Sequence, residues 1–260
     1  AVDERIKTLV SRNRDYKILG VKKLPNSSNL VPNVLKPYID EELYWEIPKF
    51  DLVLCIRDLE KMLTRSEKDL PKRNKILFPK KNIEKRMQTR LTNIGNKPKI
   101  GLFWRTHLKG VRKIKRISSL VKWNNYLYDI PAHFIDLQFG KEAELERNEL
   151  PKENILTRFD DIDYMNDFET LAALINELDF IISVPSTTAH LAGSLGKPMI
   201  MALHPYYELS FARRKTKAMQ IWSPSCLVVS GSPEDGFEGT IRASAALCEK
   251  WVKYKNWREK

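Results

Sequence analysis

The chain has 260 residues, enough for one large domain or two smaller ones, each with its own hydrophobic core. Hydrophobic residues make up 42% and charged residues 30%, and no apolar run reaches the roughly 18 residues that a membrane-spanning helix needs. The formal net charge of +12 indicates a polyanionic partner or a lysine-rich solvated surface. Three well-separated cysteines without a paired Cys or His motif argue against a disulfide framework and a zinc site, and favour a cytoplasmic protein.

The first 97 residues are irregular and predict only part of an α/β domain. Lys17–Val21 and Asp51–Ile56 are expected to be strands, and Ile83–Leu91 is expected to be a helix that leads into the next domain. The loops between them are rich in Pro and Asn. The chain begins in mid-pattern without an apolar signal segment, as expected of a trimmed sequence.

From residue 98 onward, short apolar runs alternate with helix-like runs. The predicted strands are Lys99–Trp104, Ala132–Leu137, Asn154–Leu156, Phe180–Val184, Pro198–Leu203 and Leu227–Ser230. The predicted helices are Ile117–Tyr128, Glu142–Glu149, Asn166–Leu178, Ser186–Leu195 and Ile241–Tyr254. Because parallel neighbours need crossover connections, this alternation predicts one doubly wound parallel-sheet domain over 98–260.

Two segments of this domain have especially clear patterns. In Asn166–Leu178, Asn166 is the expected N-cap and Glu169 completes a capping box. The next run, Phe180–Val184, is apolar without alternation, which is typical of a strand covered on both faces.

Ligands of an open parallel sheet bind at the carboxyl ends of its strands, and the first such end here is basic. Lys99–Trp104 is followed by Arg105, Lys109, Arg112 and Arg116. Guanidinium groups present two N–H donors to phosphate oxygens, so we expect at least one of these cations to contact a diphosphate. The alternative is a solvated basic loop.

The second strand end carries three hydroxyl side chains, Ser186, Thr187 and Thr188, in the first turn of a predicted helix. The free N–H groups and positive dipole of a helix N-terminus favour an anion. Ser186 is also the expected N-cap, and the two roles are compatible. His190 lies one turn further, and a single helical histidine is more often structural than catalytic. At the third strand end, Tyr206 and Tyr207 either stack on a base or sugar or cover the edge of the sheet.

The segment Asp167–Leu203, which contains AHLAGSLGKP, resembles the C-terminal signature of bacterial GT-B glycosyltransferases of the heptosyltransferase-like kind. It is most similar to the version that follows tetratricopeptide repeats. Lys99–Thr106 and Phe134–Gly140 resemble two further strands of that nucleotide-binding domain, in the same order. Val2–Asn13 and Leu52–Pro71 resemble the later part of the family's acceptor domain.

This resemblance implies a GT-B-like fold: a doubly wound, Rossmann-like domain at 98–260 that binds the nucleotide sugar, preceded by a partial Rossmann-like, acceptor-side domain at 1–97. It implies hexosyl or heptosyl transfer without a metal or cofactor. The residues implied to contact the donor diphosphate are Arg105, Lys109, Arg112, Ser186, Thr187, Thr188 and His190. Gln138 falls near the base or ribose.

The implied partners are a nucleotide sugar as donor substrate and a glycan, lipid-linked sugar or protein as acceptor. Nucleic acid is not expected, because no aromatic residues interleave with the basic ones, and peripheral membrane association stays open. Pro185 occupies the position where heptosyltransferase-like members commonly carry an acid, which weakens the case for ADP-heptose as donor. No general base is assigned, and a GT-B module that binds without turnover is the alternative.

Overall fold

The computed structural model describes residues 2–12, 20–21, 75–106, 118–151, 154–205, 219–220 and 223–254. The chain divides into two compact units, Ala1–Pro71 and Lys72–Lys260.

In the first unit, strand β1 (Val2–Asp3) pairs in parallel with strand β2 (Gly20–Val21), and helix α1 (Glu4–Ser11) connects them in sequence. A parallel pair with a helical crossover is the basic α/β unit. Of the strand expected at Lys17–Val21, only the last two residues are described. The strand expected at Asp51–Ile56 lies outside the described residues.

The second unit alternates helices and strands along most of its length. Its helices are α2 (Lys81–Asn93), α3 (Leu120–Leu127), α4 (Lys141–Asn148), α5 (Phe168–Glu177), α6 (Thr187–Ser194) and α7 (Gly236–Lys253). Its strands are β3 (Lys99–Phe103), β4 (His133–Asp136), β5 (Leu156–Thr157), β6 (Phe180–Ser183), β7 (Met199–Leu203), β8 (Met219–Gln220) and β9 (Ser223–Ser230).

These seven strands form one sheet in the order β5-β4-β3-β6-β7-β9-β8. All neighbours are parallel except β8, which pairs antiparallel with β9 at the edge. If the six parallel strands are numbered along the chain, this is the 3-2-1-4-5-6 order of the Rossmann fold. The predicted doubly wound parallel sheet is confirmed, and its strand order reverses between β3 and β6.

The core explains why the central strands are apolar throughout. Every residue of β6 and β7 is buried, as their continuous apolar sequence predicts for strands with helices on both faces. On one face, Trp104, Trp123 and Phe134 belong to the same cluster of buried side chains as Trp251 of α7. This packing fixes the strands whose carboxyl ends form the candidate site.

Four details of the predicted elements are wrong. The N-cap of α5 is Asp167, whose carboxylate accepts a hydrogen bond from Thr170 N at 2.9 Å, and not Asn166. The capping box fails with it, because the carboxylate of Glu169 accepts from Lys80 N at 2.7 Å instead. Helix α7 begins at Gly236, five residues before the expected start at Ile241, and the antiparallel strand β8 was not predicted.

The segment before β3 is part of the second compact unit. Helix α2 packs against α5, and Asn176 of α5 bonds both Glu84 of α2 and the ammonium group of Lys75. Lys75 also forms an antiparallel bridge with Leu195. The compact unit therefore starts at Lys72, upstream of the proposed division between residues 97 and 98.

Candidate functional site

The point at which the strand order reverses brings two sequence-distant segments together. β3 and β6 are parallel neighbours in register, from Ile100 opposite Phe180 to Phe103 opposite Ser183. Their carboxyl ends therefore lie side by side, and Val184 N donates to Phe103 O at 3.0 Å just beyond the ladder. Open α/β sheets bind their ligands in the crevice at this place.

The hydroxyl-rich turn after β6 is the start of α6, as predicted. Ser186 is the N-cap, with an extended backbone and a side-chain oxygen that accepts from Ala189 N at 3.1 Å. Thr187, the first helical residue, is exposed, whereas Thr188 is buried. His190 is exposed one turn into the helix, and its N–H donates to Ser186 O at 3.2 Å.

The proton of the Ser186 hydroxyl is directed into the protein. Ser183 is fully buried, and its hydroxyl donates to Val184 O at 2.8 Å. The two serine oxygens are 3.1 Å apart, and because Ser183 has already used its proton, Ser186 must be the donor between them. The groups of this turn that can still donate to an anion are the first N–H groups of α6 and the Thr187 hydroxyl.

Arg105, after β3, is buried and paired within the protein. Its Nη1 lies 3.1 Å from Oε1 of Glu146 in α4, and the side chain is 7% exposed. The other oxygen of that carboxylate accepts from the indole N–H of Trp104. Burial raises the pKa of Glu146, against the opposing effects of the Trp104 hydrogen bond and the Arg105 charge. The Arg105 Nε atom is buried and has no hydrogen-bond partner among the described residues.

Gln138, after β4, is also fully buried and contacts Arg105. Its Oε1 accepts from Arg105 N at 3.0 Å, and its Nε2 donates to Phe139 O at 3.3 Å. The structure therefore brings together two of the predicted site residues. The contact of Gln138 with a base or ribose stays a prediction, because its amide group is bonded inside the protein here.

A buried ionic cluster beside Gln138 was missed by the sequence analysis. The carboxylate of Asp136 is fully buried and accepts from Arg147 at 3.0 Å and lies 3.2 Å from Arg158. Burial raises the pKa of Asp136, while the two guanidinium groups and the N–H of Gln138 lower it. An aspartate inside an otherwise apolar strand is a signal that could have pointed to such a partner.

Several predicted contacts cannot be located. Lys109, Arg112 and Arg116 lie outside the described residues, as do the aromatic pair Tyr206 and Tyr207. At that third strand end the ring of His204 lies 5.9 Å from the ring of Phe237.

Two kinds of feature are absent from the described part of the chain. Within the described ranges, no three His, Cys, Asp or Glu side chains are grouped so that they could hold a metal ion. The helices seen in those ranges are also too short or too polar to cross a bilayer.

Comparison with known proteins agrees with the strand order. The chain is similar to E. coli ADP-heptose LPS heptosyltransferase II, with a TM-score of 0.52, 16% identity, and coverage of 76% of this chain and 58% of that one. The fold is GT-B-like. The glycosyl transferase family 9 structure from Veillonella parvula DSM 2008 is also similar, with a TM-score of 0.45, 14% identity, and coverage of 71% and 54%.

In sequence, the chain is 29% identical over 168 residues to Protein FlbA of Caulobacter vibrioides (strain ATCC 19089 / CIP 103742 / CB 15). That match covers 64% of this chain and 27% of FlbA, so the chain spans only about a quarter of that relative's length. No family model matches the sequence. The GT-B-like fold is therefore shown, while the association with tetratricopeptide repeats stays a prediction.

Proposed function

We propose that the second unit binds the diphosphate of a nucleotide sugar at the N-terminus of α6, and that the protein transfers a hexosyl or heptosyl group from it. The observation that carries this proposal is the junction of β6 and α6. A fully buried central strand, next to the point where the strand order reverses, leads into a helix whose N-cap is Ser186. Helix N-termini at this place in Rossmann-like sheets are suited to phosphate.

The chemistry requires a group that stabilises negative charge. When the bond between the sugar's anomeric carbon and the phosphate oxygen breaks, the nucleoside diphosphate leaves with the electron pair of that bond. Fixed N–H donors aimed at the leaving phosphate lower the barrier without reorganising. We assign this role to the N–H groups of α6 and the hydroxyl of Thr187, with positive charge from Lys109 and Arg112. Arg105 contributes less, because its guanidinium is already paired with Glu146.

Metal-independent transfer is part of the proposal, and activity should therefore persist in excess EDTA. The acceptor is a glycan, a lipid-linked sugar or a protein. The comparison enzyme is named for ADP-heptose, but Pro185 is buried and offers no carboxylate at the start of α6, so another donor fits this chain better.

Calorimetry with pyrophosphate, ADP, UDP, GDP and the corresponding sugars, together with CMP sugars, tests the site. Thr187→Val removes an exposed hydroxyl while keeping the shape of the side chain, and loss of one hydrogen bond of about 1 kcal/mol should weaken diphosphate binding about fivefold. Thr89→Val on the exposed face of α2 is the matched control and should leave binding unchanged. If no ligand of this panel binds, the proposal is wrong.

A second candidate function is binding of a nucleotide, glycan or protein without turnover. The observation that favours it is again Pro185, since the position before the hydroxyl turn lacks the acid that heptosyltransferase-like members commonly have there. Nucleotide-sugar binding by the full-length protein, with no transfer or hydrolysis for any donor and acceptor tested, would favour this function over transfer.

A further inference from the structure

The regular pairing of β4 with β3 ends one residue before the last residue of β3. The ladder runs to Leu102 opposite Asp136, and Leu137 N then donates to Leu102 O at 3.1 Å. The backbone groups of Gln138 have other partners. Its N–H donates to Asp136 Oδ1 at 2.7 Å, and its carbonyl accepts from Arg158 at 2.8 Å.

The side chain of Gln138 takes the place of the missing backbone acceptor. Arg105 is 6% exposed, so its N–H is inside the protein and needs a partner. Gln138 Oε1 supplies that partner at 3.0 Å, which extends the β3–β4 hydrogen bonding beyond the regular ladder. A buried N–H without an acceptor is strongly unfavourable, so this hydrogen bond helps to hold the backbone where β3 ends.

The orientation of the amide is fixed from its other end as well. Gln138 Nε2 donates to Phe139 O at 3.3 Å, and the whole residue is 0% exposed. The amide therefore bonds to the protein through both its oxygen and its nitrogen.

We propose that Gln138 is a positioning residue: it acts through the main chain of Arg105 to hold the carboxyl end of β3 in the conformation that binds the diphosphate, and it does not read the base. This inference rests on the proposed function. It places Gln138 beside the part of the site that binds the phosphates, where its amide contacts the main chain of Arg105 and Phe139.

The distinction can be measured because pyrophosphate has no base. In Gln138→Met, which keeps the length of the side chain but removes the acceptor, binding of pyrophosphate, ADP, UDP and GDP should weaken by the same factor. Loss of the hydrogen bond, worth about 1 kcal/mol, shifts the ordering equilibrium of the strand end about fivefold, so the four affinities should fall by one shared factor of up to about five. Gln88→Met on the exposed face of α2 is the matched control and should change none of the four affinities.

Amide hydrogen exchange gives a readout that does not depend on the ligand. The Arg105 N–H should exchange faster in Gln138→Met, while Gln138→Glu, which restores an oxygen acceptor, should return its protection. If the Met variant does not fold, the Glu variant replaces it in the binding measurements. Its change in affinity should likewise be equal for all four ligands.

The possible failures are distinct. If the wild-type protein binds neither pyrophosphate nor any nucleotide, the proposed function is wrong. If it binds them, but Gln138→Met keeps its affinity for pyrophosphate and loses it for only one nucleotide, Gln138 reads the base and this inference is wrong while the proposed function stands. Unchanged exchange of the Arg105 N–H in Gln138→Met would also overturn the inference.

Discussion

Substitution of Gly193 by Ala tests whether the position of α6 depends on one close contact. Gly193 lies in the last turn of α6, where a Cβ atom would be 2.8 Å from the Cβ of Ser223, the first residue of β9. Carbon atoms pack at about 3.5–4.0 Å, so the two segments must separate by about 0.7–1.2 Å. Rotation of the Ser223 side chain cannot relieve this clash, because the Cβ atom does not move with χ1.

Two opposing effects determine the magnitude. Overpacking of a buried contact costs about 1–3 kcal/mol, whereas replacing glycine by alanine inside a helix gains about 1 kcal/mol. We therefore expect Gly193→Ala to lower the free energy of unfolding by up to about 2 kcal/mol. Because the displaced helix carries the candidate anion site at its other end, diphosphate affinity should fall as well.

A double-mutant cycle separates the clash from other causes. Ser223→Gly removes both atoms that the new Cβ would meet, so in that background only the gain in helix propensity remains. Urea unfolding should then show that Gly193→Ala destabilises the wild type but is neutral or stabilising, by up to about 1 kcal/mol, in Ser223→Gly. Equal destabilisation in both backgrounds would refute the argument.

The buried ionic groups give further predictions. Asp136→Asn removes the buried carboxylate shared by Arg147 and Arg158 and should lower the free energy of unfolding by about 3 kcal/mol. Asp160→Asn, whose side chain is 91% exposed beside the same Arg158, should change it by less than about 0.5 kcal/mol in urea titrations. Glu146→Gln should tighten pyrophosphate binding in calorimetry, because the Arg105 guanidinium no longer faces a competing carboxylate. Burial raises the pKa of Glu146 above its usual 4.5, so the folded state binds the proton more tightly. Wild-type stability should thus fall as pH rises from 4.5 through that raised pKa, and Glu146→Gln should lack this component.

The fold could be predicted where the sequence pattern reports burial on both faces of a strand. β6 and β7 are apolar at nearly every position, and α5 has a strong stripe of apolar residues between charged ends. These three elements could therefore be assigned as strand or helix, and in the right order, from the sequence. The two-residue strand β8 carries no such signal, because it is too short for a pattern. Its two residues pair antiparallel with β9, Gln220 opposite Ser223 and Met219 opposite Leu227.

The N-cap of α5 shows how a local rule fails when two residues satisfy it. Asn166 and Asp167 are both good caps by type. The choice is made by Asp163, whose carboxylate accepts from Asn166 N at 2.9 Å and from its side-chain amide at 3.0 Å. With Asn166 held in this turn, the helix starts one residue later, and Glu169 accepts from Lys80 N.

The candidate site was predictable as a place but not as a set of contacts. Parallel strands with crossovers put all carboxyl ends at one edge, so Arg105 and Ser186 were expected there from strand boundaries, while Gln138 was expected there from the family resemblance. Their partners were not, because Glu146 is 41 positions after Arg105 and carries no pattern that marks it. Only the packing of α4 beside the end of β3 makes that pair.

The same packing changes which groups should bind an anion. A net charge of +12 suggests that arginines dominate the attraction, yet the arginines described near this edge are each beside a carboxylate: Arg105 with Glu146, and Arg147 and Arg158 with Asp136. A guanidinium that already has a buried counter-ion gains little from a second anion, because that anion must also overcome the carboxylate's repulsion. We propose that no carboxylate competes with an anion for the N–H groups at the start of α6, since Ser186 caps one of them with an uncharged oxygen. Diphosphate affinity that depends chiefly on these N–H groups should therefore fall only weakly with added salt, whereas affinity that depends on unpaired lysines and arginines should fall steeply.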